Sequence, residues 1–293
     1  MLKKESIRFI NKNRSLLVCE DNFVYLLPCI QLRNWISNFT ISFPNQTIIS
    51  DNYTIIPHGS VTLVFFYDAT GLHSLLFGPT TKPKTVGGIA NRCDVILIIE
   101  FQPAGFFPII GIQQSELIDK VVPFSIINTS LDLEIKKIFN ESLSIDKLIL
   151  KLEELLISKS IDKLILKLEE LLISNIKIEY SYEFILAIQL IIQNSGNISS
   201  QEISKKVFYS SRHLNRLFNQ YLGLSMKSFS RLVRINKSIK LLNNNKTSLM
   251  SICNELGFYD IPHFIKDFKI VCGITPQKYR ANMSDFYSEI AKF

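Results

Sequence analysis

Residues 210–219 read SSRHLNRLFN and are followed by Gly223. Fifty residues later, residues 260–269 read DIPHFIKDFK and are followed by Gly273. Each copy begins with a residue type that caps helix N-termini, and each ends with a glycine suited to a left-handed C-cap. A shorter helical stretch with its own cap precedes each copy. The pattern predicts two helix-turn-helix units in tandem, an architecture typical of proteins that read duplex DNA.

The first copy presents two different faces when it is placed on a helix. Its apolar residues recur at helical spacing and predict a buried stripe of Leu214, Leu217, Phe218 and Tyr221. The opposite face carries no acidic residue and consists of Arg212, Asn215, Arg216 and Asn219. Arg pairs with guanine and Asn with adenine in the major groove. The alternative is an ordinary solvated polar face, which the second copy and the charge distribution make the weaker interpretation.

The positive charge of the chain is concentrated in its C-terminal part. The 293 residues include 33 Lys and Arg against 26 Asp and Glu, a net charge of +7. Residues 180–293 hold 15 of these cations and 7 of the anions, a balance of +8, so residues 1–179 hold 18 against 19, a balance of −1. This separation indicates a nucleic-acid-binding segment, because solubility alone does not require it.

The cysteines and the apolar runs restrict the class of protein. The five cysteines are scattered without a CxxC pair, which predicts a reducing compartment and argues against a disulfide framework or a zinc site. Lys3 and Lys4 are not followed by the apolar run of a signal peptide, and the densest apolar stretch of the N-terminal part, residues 95–99, is too short to span a membrane. We expect a cytoplasmic protein with no membrane association, no cofactor and no metal.

The N-terminal part is predicted to be mainly β-structure. Runs rich in Val, Ile, Leu and Phe are separated by Pro-, Gly- and Asn-containing turns, which predicts strands at residues 23–27, 39–43, 60–67, 72–77 and 95–101. This spacing favours an antiparallel barrel or sandwich. Residues 28–36 are predicted to form one short helix, with Trp35 packing on the sheet. The whole chain is therefore assigned to the α+β class.

A second repeat lies between the two parts. Residues 144–158 recur without a substitution at residues 160–174, a period of 16. At about 100° per residue, one straight helix would place the apolar stripes of the two copies about 160° apart. The segment therefore forms either two helices with a break near Lys159 or one long helix with apolar surface on two faces. The second copy is either a tolerated insertion or a segment for self-association or domain coupling.

These features predict three segments. Residues 1–143 form a sensor-like N-terminal domain, residues 144–179 a helical linker, and residues 180–293 an all-α DNA-binding domain. In the last, helices are predicted at residues 182–194, 201–206, 211–221, 226–243, 249–254 and 261–272, and Thr275 with Pro276 begins another. The helix at residues 226–243 separates the two units, so the two recognition helices are expected to enter successive major grooves.

Residues 198–280 resemble the DNA-binding domain of the AraC/XylS family of bacterial transcription regulators. The resemblance rests on the order and spacing of Ser210-x-x-His213-Leu214-x-Arg216-x-Phe218, Tyr221-x-Gly223-x-Ser225, Gly257-Phe258, His263-Phe264-x-x-x-Phe268-Lys269 and Gly273-Ile274-Thr275-Pro276-x-x-Tyr279-Arg280. Residues 56–65 and 101–105, with Gly78-Pro79 and Gly111, are similar to the sensor-like domains that precede some AraC-type domains. The resemblance implies a regulator controlled through its N-terminal domain.

The second unit departs from the first at the positions expected to meet bases. Pro262 and Ile265 stand where the first unit has Arg212 and Asn215, and neither can donate a hydrogen bond from its side chain, although Ile265 could touch a thymine methyl group. The first unit is therefore expected to read bases and the second to anchor phosphates. The predicted DNA contacts are Ser211, Arg212, Asn215, Arg216, Asn219, Ile265, Lys266 and Lys269.

The sequence therefore predicts a sequence-specific transcription regulator. The expected partner is double-stranded DNA, with a small-molecule effector or a protein at the N-terminal domain; RNA polymerase and a second copy of the chain are further candidates. Two alternatives are an architectural DNA binder and an N-terminal small-molecule enzyme fused to a DNA-binding domain. His58 and His73 show no catalytic spacing, and no His-x-His pair of a metal-binding cupin is present, so we expect no enzyme.

Overall fold

The computed structural model describes residues 16–19, 22–44, 50–144, 153–243, 247–283 and 286–287. The described N-terminal residues form a seven-stranded sheet with the strand order β1-β2-β3-β8-β5-β6-β9, in which each neighbouring pair is antiparallel. These strands are β1 (Leu16–Cys19), β2 (Phe23–Leu26), β3 (Ile36–Ser42), β5 (Thr62–Asp68), β6 (Gly71–Phe77), β8 (Val95–Phe101) and β9 (Val121–Pro123). The α+β class is confirmed. Because the edge strands β1 and β9 do not pair with each other, the sheet is open and the word barrel describes the N-terminal domain only loosely.

A small second sheet joins the N-terminal domain to a strand that follows the last helix. It consists of β4 (Thr54–Ile55), β7 (Lys84–Thr85) and β10 (Phe286–Tyr287). β4 pairs antiparallel with β7 and parallel with β10. A strand from beyond the last helix is therefore added to two strands of the N-terminal domain.

The core of the N-terminal domain lies on one face of the large sheet. Leu97, Ile99 and Phe101 alternate along β8 on this face and are fully buried, as expected for a central strand. Two short helices precede β9, α1 (Gly87–Ala90) and α2 (Phe106–Ile110), and α3 (Phe124–Ile127) follows it. The core face is covered by α4 (Thr129–Ser144) and α5 (Glu153–Ser174).

The duplicated segment is helical across its junction. α5 runs without interruption through Lys159, so the structure has no break at that residue. The apolar stripe of the second copy is fully buried against the sheet core and consists of Ile161, Leu164, Ile165, Leu168 and Leu172. Residues 145–152 of the first copy lie outside the described residues. The second copy therefore supplies the docking face, which one amphipathic helix can bury.

The predicted helix at residues 28–36 is wrong. Only Ile30–Leu32 form a short 3-10 helix, and Ile36 already begins β3, where it pairs with Phe101 of β8. Cross-strand pairing in the sheet outweighs the local preference of so short a segment. Trp35 packs against the core of the sheet, as predicted, and it also meets the ring of Tyr180 edge-on at 5.9 Å between ring centroids.

The C-terminal domain follows the predicted order of helices closely. Its helices are α6 (Tyr182–Gln193), α7 (Ser200–Val207), α8 (Ser211–Leu222), α9 (Met226–Leu242), α10 (Leu249–Glu255), α11 (Ile261–Cys272) and α12 (Pro276–Ala281). The predicted caps are observed, because backbone amides donate hydrogen bonds to the side chains of Ser210, Ser225, Ser248, Asp260 and Thr275. Within the described part of the chain, no helix is both long and apolar enough to cross a membrane.

Candidate nucleic-acid interface

The first helix-turn-helix unit consists of α7, a short turn and α8. The hydroxyl of Ser211, at the start of α8, lies 2.7 Å from the hydroxyl of Ser204 on α7 and donates to the carbonyl of Ser200 at 3.3 Å. Ser210 caps α8 by accepting from the amide of His213. Ser211, predicted to contact DNA, is thus held in the packing between the two helices.

Most of the predicted division of α8 into two faces is observed, although Leu217 and Tyr221 of the predicted buried stripe are only partly buried. Leu214, Phe218 and Leu222 are fully buried between the helices of the unit. Arg212, Arg216 and Asn219 are exposed on the outer face. A guanidinium nitrogen of Arg216 lies 3.4 Å from Nδ1 of His213. The exposed face of α8 therefore offers two guanidinium groups one helical turn apart, with no acidic residue on the helix.

Asn215 differs from these three residues because its amide makes two internal hydrogen bonds. Nδ2 donates to the carbonyl of Ser211 at 3.1 Å, and Oδ1 accepts from the backbone amide of Met226 at 3.1 Å. Met226 is the first residue of α9, so Asn215 satisfies one of the free amides at the start of that helix. The structure brings Asn215 to the joint between α8 and α9, and its predicted contact with adenine stays a prediction.

The second unit consists of α10, a turn and α11. Lys266 and Lys269 are exposed on α11, whereas Ile265 is half-buried. Pro262 is exposed in the first turn, where Asp260 caps the helix by accepting from the amide of His263. The outer face of α11 therefore offers ammonium groups but no guanidinium or amide group.

A buried acidic residue, which sequence reasoning missed, anchors α11 to α9. Asp267 is 7% exposed, and one of its carboxylate oxygens lies 2.9 Å from Nε of Arg231 on α9. The other oxygen lies 3.5 Å from Nε2 of His263. A signal was present in the sequence. Asp267 stands fifty residues after Leu217, which belongs to the predicted buried stripe of the first copy, so the repeat places Asp267 on the packed side of α11.

Arg234 on α9 is also turned inward. Its guanidinium donates to the carbonyl of Gly196 at 2.7 Å and lies over the ring of Phe258 at 5.1 Å from the centroid. Desolvation by burial lowers the pKa of Arg234 below its ordinary value. This cation therefore links α9 to both units instead of adding to the outer charge.

The turns before the two recognition helices each expose one aromatic side chain. Phe208 and Tyr259 are each 92% exposed, two residues and one residue before the N-caps Ser210 and Asp260. Phe208 has φ of +56°, a left-handed conformation that non-glycine residues adopt at a cost. In the second unit the left-handed position before the recognition helix is Gly257, with φ of +66°.

The two N-terminal histidines discussed above lie within hydrogen-bonded clusters. His58 is buried, and its Nδ1 lies 3.1 Å from the hydroxyl of Ser60 and 3.5 Å from the carboxylate of Glu100. His73 is partly exposed at the β5–β6 hairpin, where its Nε2 lies 3.2 Å from Asp68. In the regions that the structure covers, no group of three His, Cys, Asp or Glu side chains is placed to hold a metal ion.

Two family profiles match the chain. A family described as "Helix-turn-helix domain" matches residues 203–282, and one described as "Domain of unknown function (DUF6597)" matches residues 25–123. The first covers both units, and the second covers most of the large sheet.

Several curated proteins are similar to the C-terminal part. The Msm operon regulatory protein of Streptococcus mutans is 33% identical over 93 residues, which are 32% of this chain and 34% of that protein. The Arabinose operon regulatory protein of Escherichia coli is 27% identical over 96 residues, which are 33% of each chain. The chain spans about a third of the length of these relatives.

A solved structure is similar to about a third of the chain. It belongs to a transcriptional regulator from Chromobacterium violaceum, described as an AraC-type DNA-binding domain-containing protein, and is 32% identical. The match covers 34% of this chain and 89% of that chain, with a TM-score of 0.32. The resemblance predicted from the sequence is confirmed for the C-terminal domain by the profile and by the curated relatives.

Proposed function

Because residues 203–282 form a helix-turn-helix domain of the AraC type, we propose that this protein is a transcription regulator that places α8 and α11 in two successive major grooves of one duplex. The observation that carries this proposal is the pair of capped recognition helices with exposed cations, joined by one rigid helix. α9 has 17 residues and is therefore about 25 Å long. Asn215 of α8 contacts its first residue and α11 packs along it from Arg231 onward, so one helix holds both recognition helices, which are proposed to enter grooves about 34 Å apart.

The two units are proposed to divide the work of recognition. Arg212 and Arg216 read base edges, because a guanidinium group can pair with both acceptors of guanine. Asn219 extends the same face, and Ser211 and Asn215 support it from the packed edge of the helix. Lys266 and Lys269 anchor phosphates, which gives affinity without sequence information, while Ile265 offers only an apolar contact.

The N-terminal domain is proposed to receive a signal. It is a sheet domain with buried polar residues on its second face, including Glu100, and the histidines at positions 58 and 73 are held in local hydrogen bonds. A groove of about 570 Å³ lies on its surface beside Leu72, Leu133 and Lys136. The proposed partner is a small molecule or a protein, and RNA polymerase is proposed to be contacted when the regulator is bound to DNA.

Selection of bound fragments from a random duplex library tests the proposed function. The full chain at moderate salt should enrich one motif with two half-sites about one helical turn apart. Enrichment without a motif would favour the architectural alternative, and no binding beyond that of random duplex would contradict the proposal. Steady substrate turnover that is lost in a His73→Ala variant would contradict the signal-receiving role of the N-terminal domain.

A further inference from the structure

A four-residue segment of the N-terminal domain, Ile56 to Gly59, reaches into the DNA-binding domain, and we call it the strap. It directly follows β4. Ile56 is 1% exposed and belongs to the apolar core of the second helix-turn-helix unit. The other buried members of that core come from the C-terminal domain, among them Ile235, Ile239 and Phe264. The N-terminal domain thus contributes one side chain to the interior of the second unit.

The strap also contacts the connecting helix and the first unit. The amide of Asn236, in the middle of α9 and 2% exposed, donates to the carbonyl of Pro57 at 3.1 Å. Gly59 has φ of +72°, and a Cβ atom there would lie 3.3 Å from Leu224 and 3.5 Å from Phe229, both in the core of the first unit. The strap therefore touches both units and the helix between them.

The side chain of His58 turns the opposite way, into the N-terminal sheet. Its contact with Glu100 joins the strap to β8, the strand that lies between β3 and β5. Glu100 is 3% exposed, and both of its carboxylate oxygens lie 3.0 Å from the hydroxyl of Thr62 on β5. The strap thus links α9, through Pro57, with the middle of the sheet, through His58.

Three other contacts connect the N-terminal domain to the ends of the recognition helices. The side chain of Gln114 donates to the carbonyl of Leu222 at 3.4 Å, and a Cβ on Gly223 would lie 2.9 Å from Ile118. At the end of α11, a Cβ on Gly273 would lie 3.4 Å from Pro83. These contacts hold the C-terminal ends of α8 and α11, whereas the strap contacts α9, the helix between the two units.

We infer that the strap is the positioning element that sets the distance and angle between the two recognition helices from the N-terminal sheet. This inference rests on the proposed function, because spacing matters only if both helices meet one duplex. A change at Glu100 that moves His58 is transmitted to α9 through Pro57 and Asn236. A structural change in the N-terminal sheet would then be transmitted through the strap to α9. This would change the half-site spacing that the two recognition helices fit.

The test uses the full chain and the operator found by selection, with a second operator in which two base pairs are inserted between the half-sites. The insertion moves one half-site by about 7 Å and rotates it by about 70°. The wild type should bind the inserted operator about tenfold less tightly or worse. Ile56→Ala and His58→Ala should reduce this discrimination to less than about threefold, whereas the conservative variant Ile56→Val should keep it close to that of the wild type.

One control variant and two replacement strap variants make the result decisive. Ile30→Ala removes a side chain that is 77% exposed in the N-terminal domain and should leave the discrimination unchanged. If Ile56→Ala does not fold, His58→Gln and Gly59→Ala test the same strap from its two other contacts. Unchanged discrimination in the folded strap variants, or a wild type that ignores the insertion, would overturn the inference. Absence of any specific operator would instead contradict the proposed function.

Discussion

The two helix-turn-helix units share one backbone plan but differ in the side chains that hold each recognition helix on α9. In the first unit Asn215 links α8 to the start of α9, and the partly buried Leu217 is apolar. In the second unit the positions fifty residues later are Ile265 and Asp267, and Asp267 forms an ion pair with Arg231. The same geometry is thus reached by a neutral amide in one unit and by a charge pair in the other.

The residues that fix the fold of each unit are therefore different from the residues that are expected to recognise DNA. The capping residues and the left-handed glycines Gly223 and Gly273 recur in both units and fix the helices. The outer faces do not recur, because α8 exposes Arg212 and Arg216 whereas α11 exposes Lys266 and Lys269. We expect the two units to respond differently to equivalent substitutions.

The largest effect is expected at the charge pair of the second unit. Asp267→Ala leaves Arg231 without its buried partner and should lower the free energy of unfolding by about 3 kcal/mol, measured by urea denaturation. The double variant Asp267→Leu with Arg231→Met copies the apolar solution of the first unit and should be close to the wild type. Lys269→Ala, on the exposed face of α11, is the matched control. A loss below about 0.5 kcal/mol in Asp267→Ala would show that the pair does not hold α11.

A smaller effect is expected at the amide joint of the first unit. Asn215→Ala removes two hydrogen bonds and frees the amide of Met226, so it should cost about 1–2 kcal/mol of stability. Binding should weaken without a change in which bases are preferred. Unchanged stability combined with relaxed preference at one base pair would instead assign Asn215 the base-reading role predicted from the sequence.

Substitutions in the two turns before the recognition helices should change the free energy of unfolding in opposite directions. Phe208→Gly removes a left-handed non-glycine residue from the first unit and should raise stability by about 0.5–1 kcal/mol. Gly257→Ala adds a Cβ at a left-handed position, where it clashes with the side-chain nitrogen of Asn197, and should lower stability by about 1 kcal/mol or more. Thermal unfolding of both variants checks the pair, and two changes of the same sign would contradict the account.

The smallest effect on stability is expected in the duplicated segment. Deletion of residues 144–159 leaves one copy of the repeat, and that copy contains the buried stripe of Ile161, Leu164, Ile165, Leu168 and Leu172. The free energy of unfolding should change by less than about 1 kcal/mol, while sedimentation should show a loss of self-association. An unchanged mass together with unchanged DNA affinity would identify the extra copy as a passive insertion.

Local chemistry explains which features could be predicted from the sequence. Ser210, Asp260 and the two C-cap glycines act on residues three or four positions away, so their spacing predicts the helix bounds closely. The contacts that were missed join distant positions, such as Ile56 with the core of the second unit and Asp267 with Arg231. The fifty-residue repeat indicates that Asp267 lies on the packed side of α11, but no pattern in the sequence identifies the distant partner of either residue. The helix predicted at residues 28–36 failed for the same reason, because the partner of Ile36 lies in β8.

The central claim, that the first unit reads bases and the second anchors phosphates, is tested by one measurement. Binding of the wild type, Arg212→Ala and Lys266→Ala is measured on a panel of single-base operator variants at several salt concentrations, with Lys120→Ala in the N-terminal domain as the control. Arg212→Ala should cost about 1–3 kcal/mol and relax preference at one or two base pairs. Lys266→Ala should weaken binding to all operators equally and reduce the salt slope by about one. Lost preference in Lys266→Ala, with only uniform weakening in Arg212→Ala, would contradict the account.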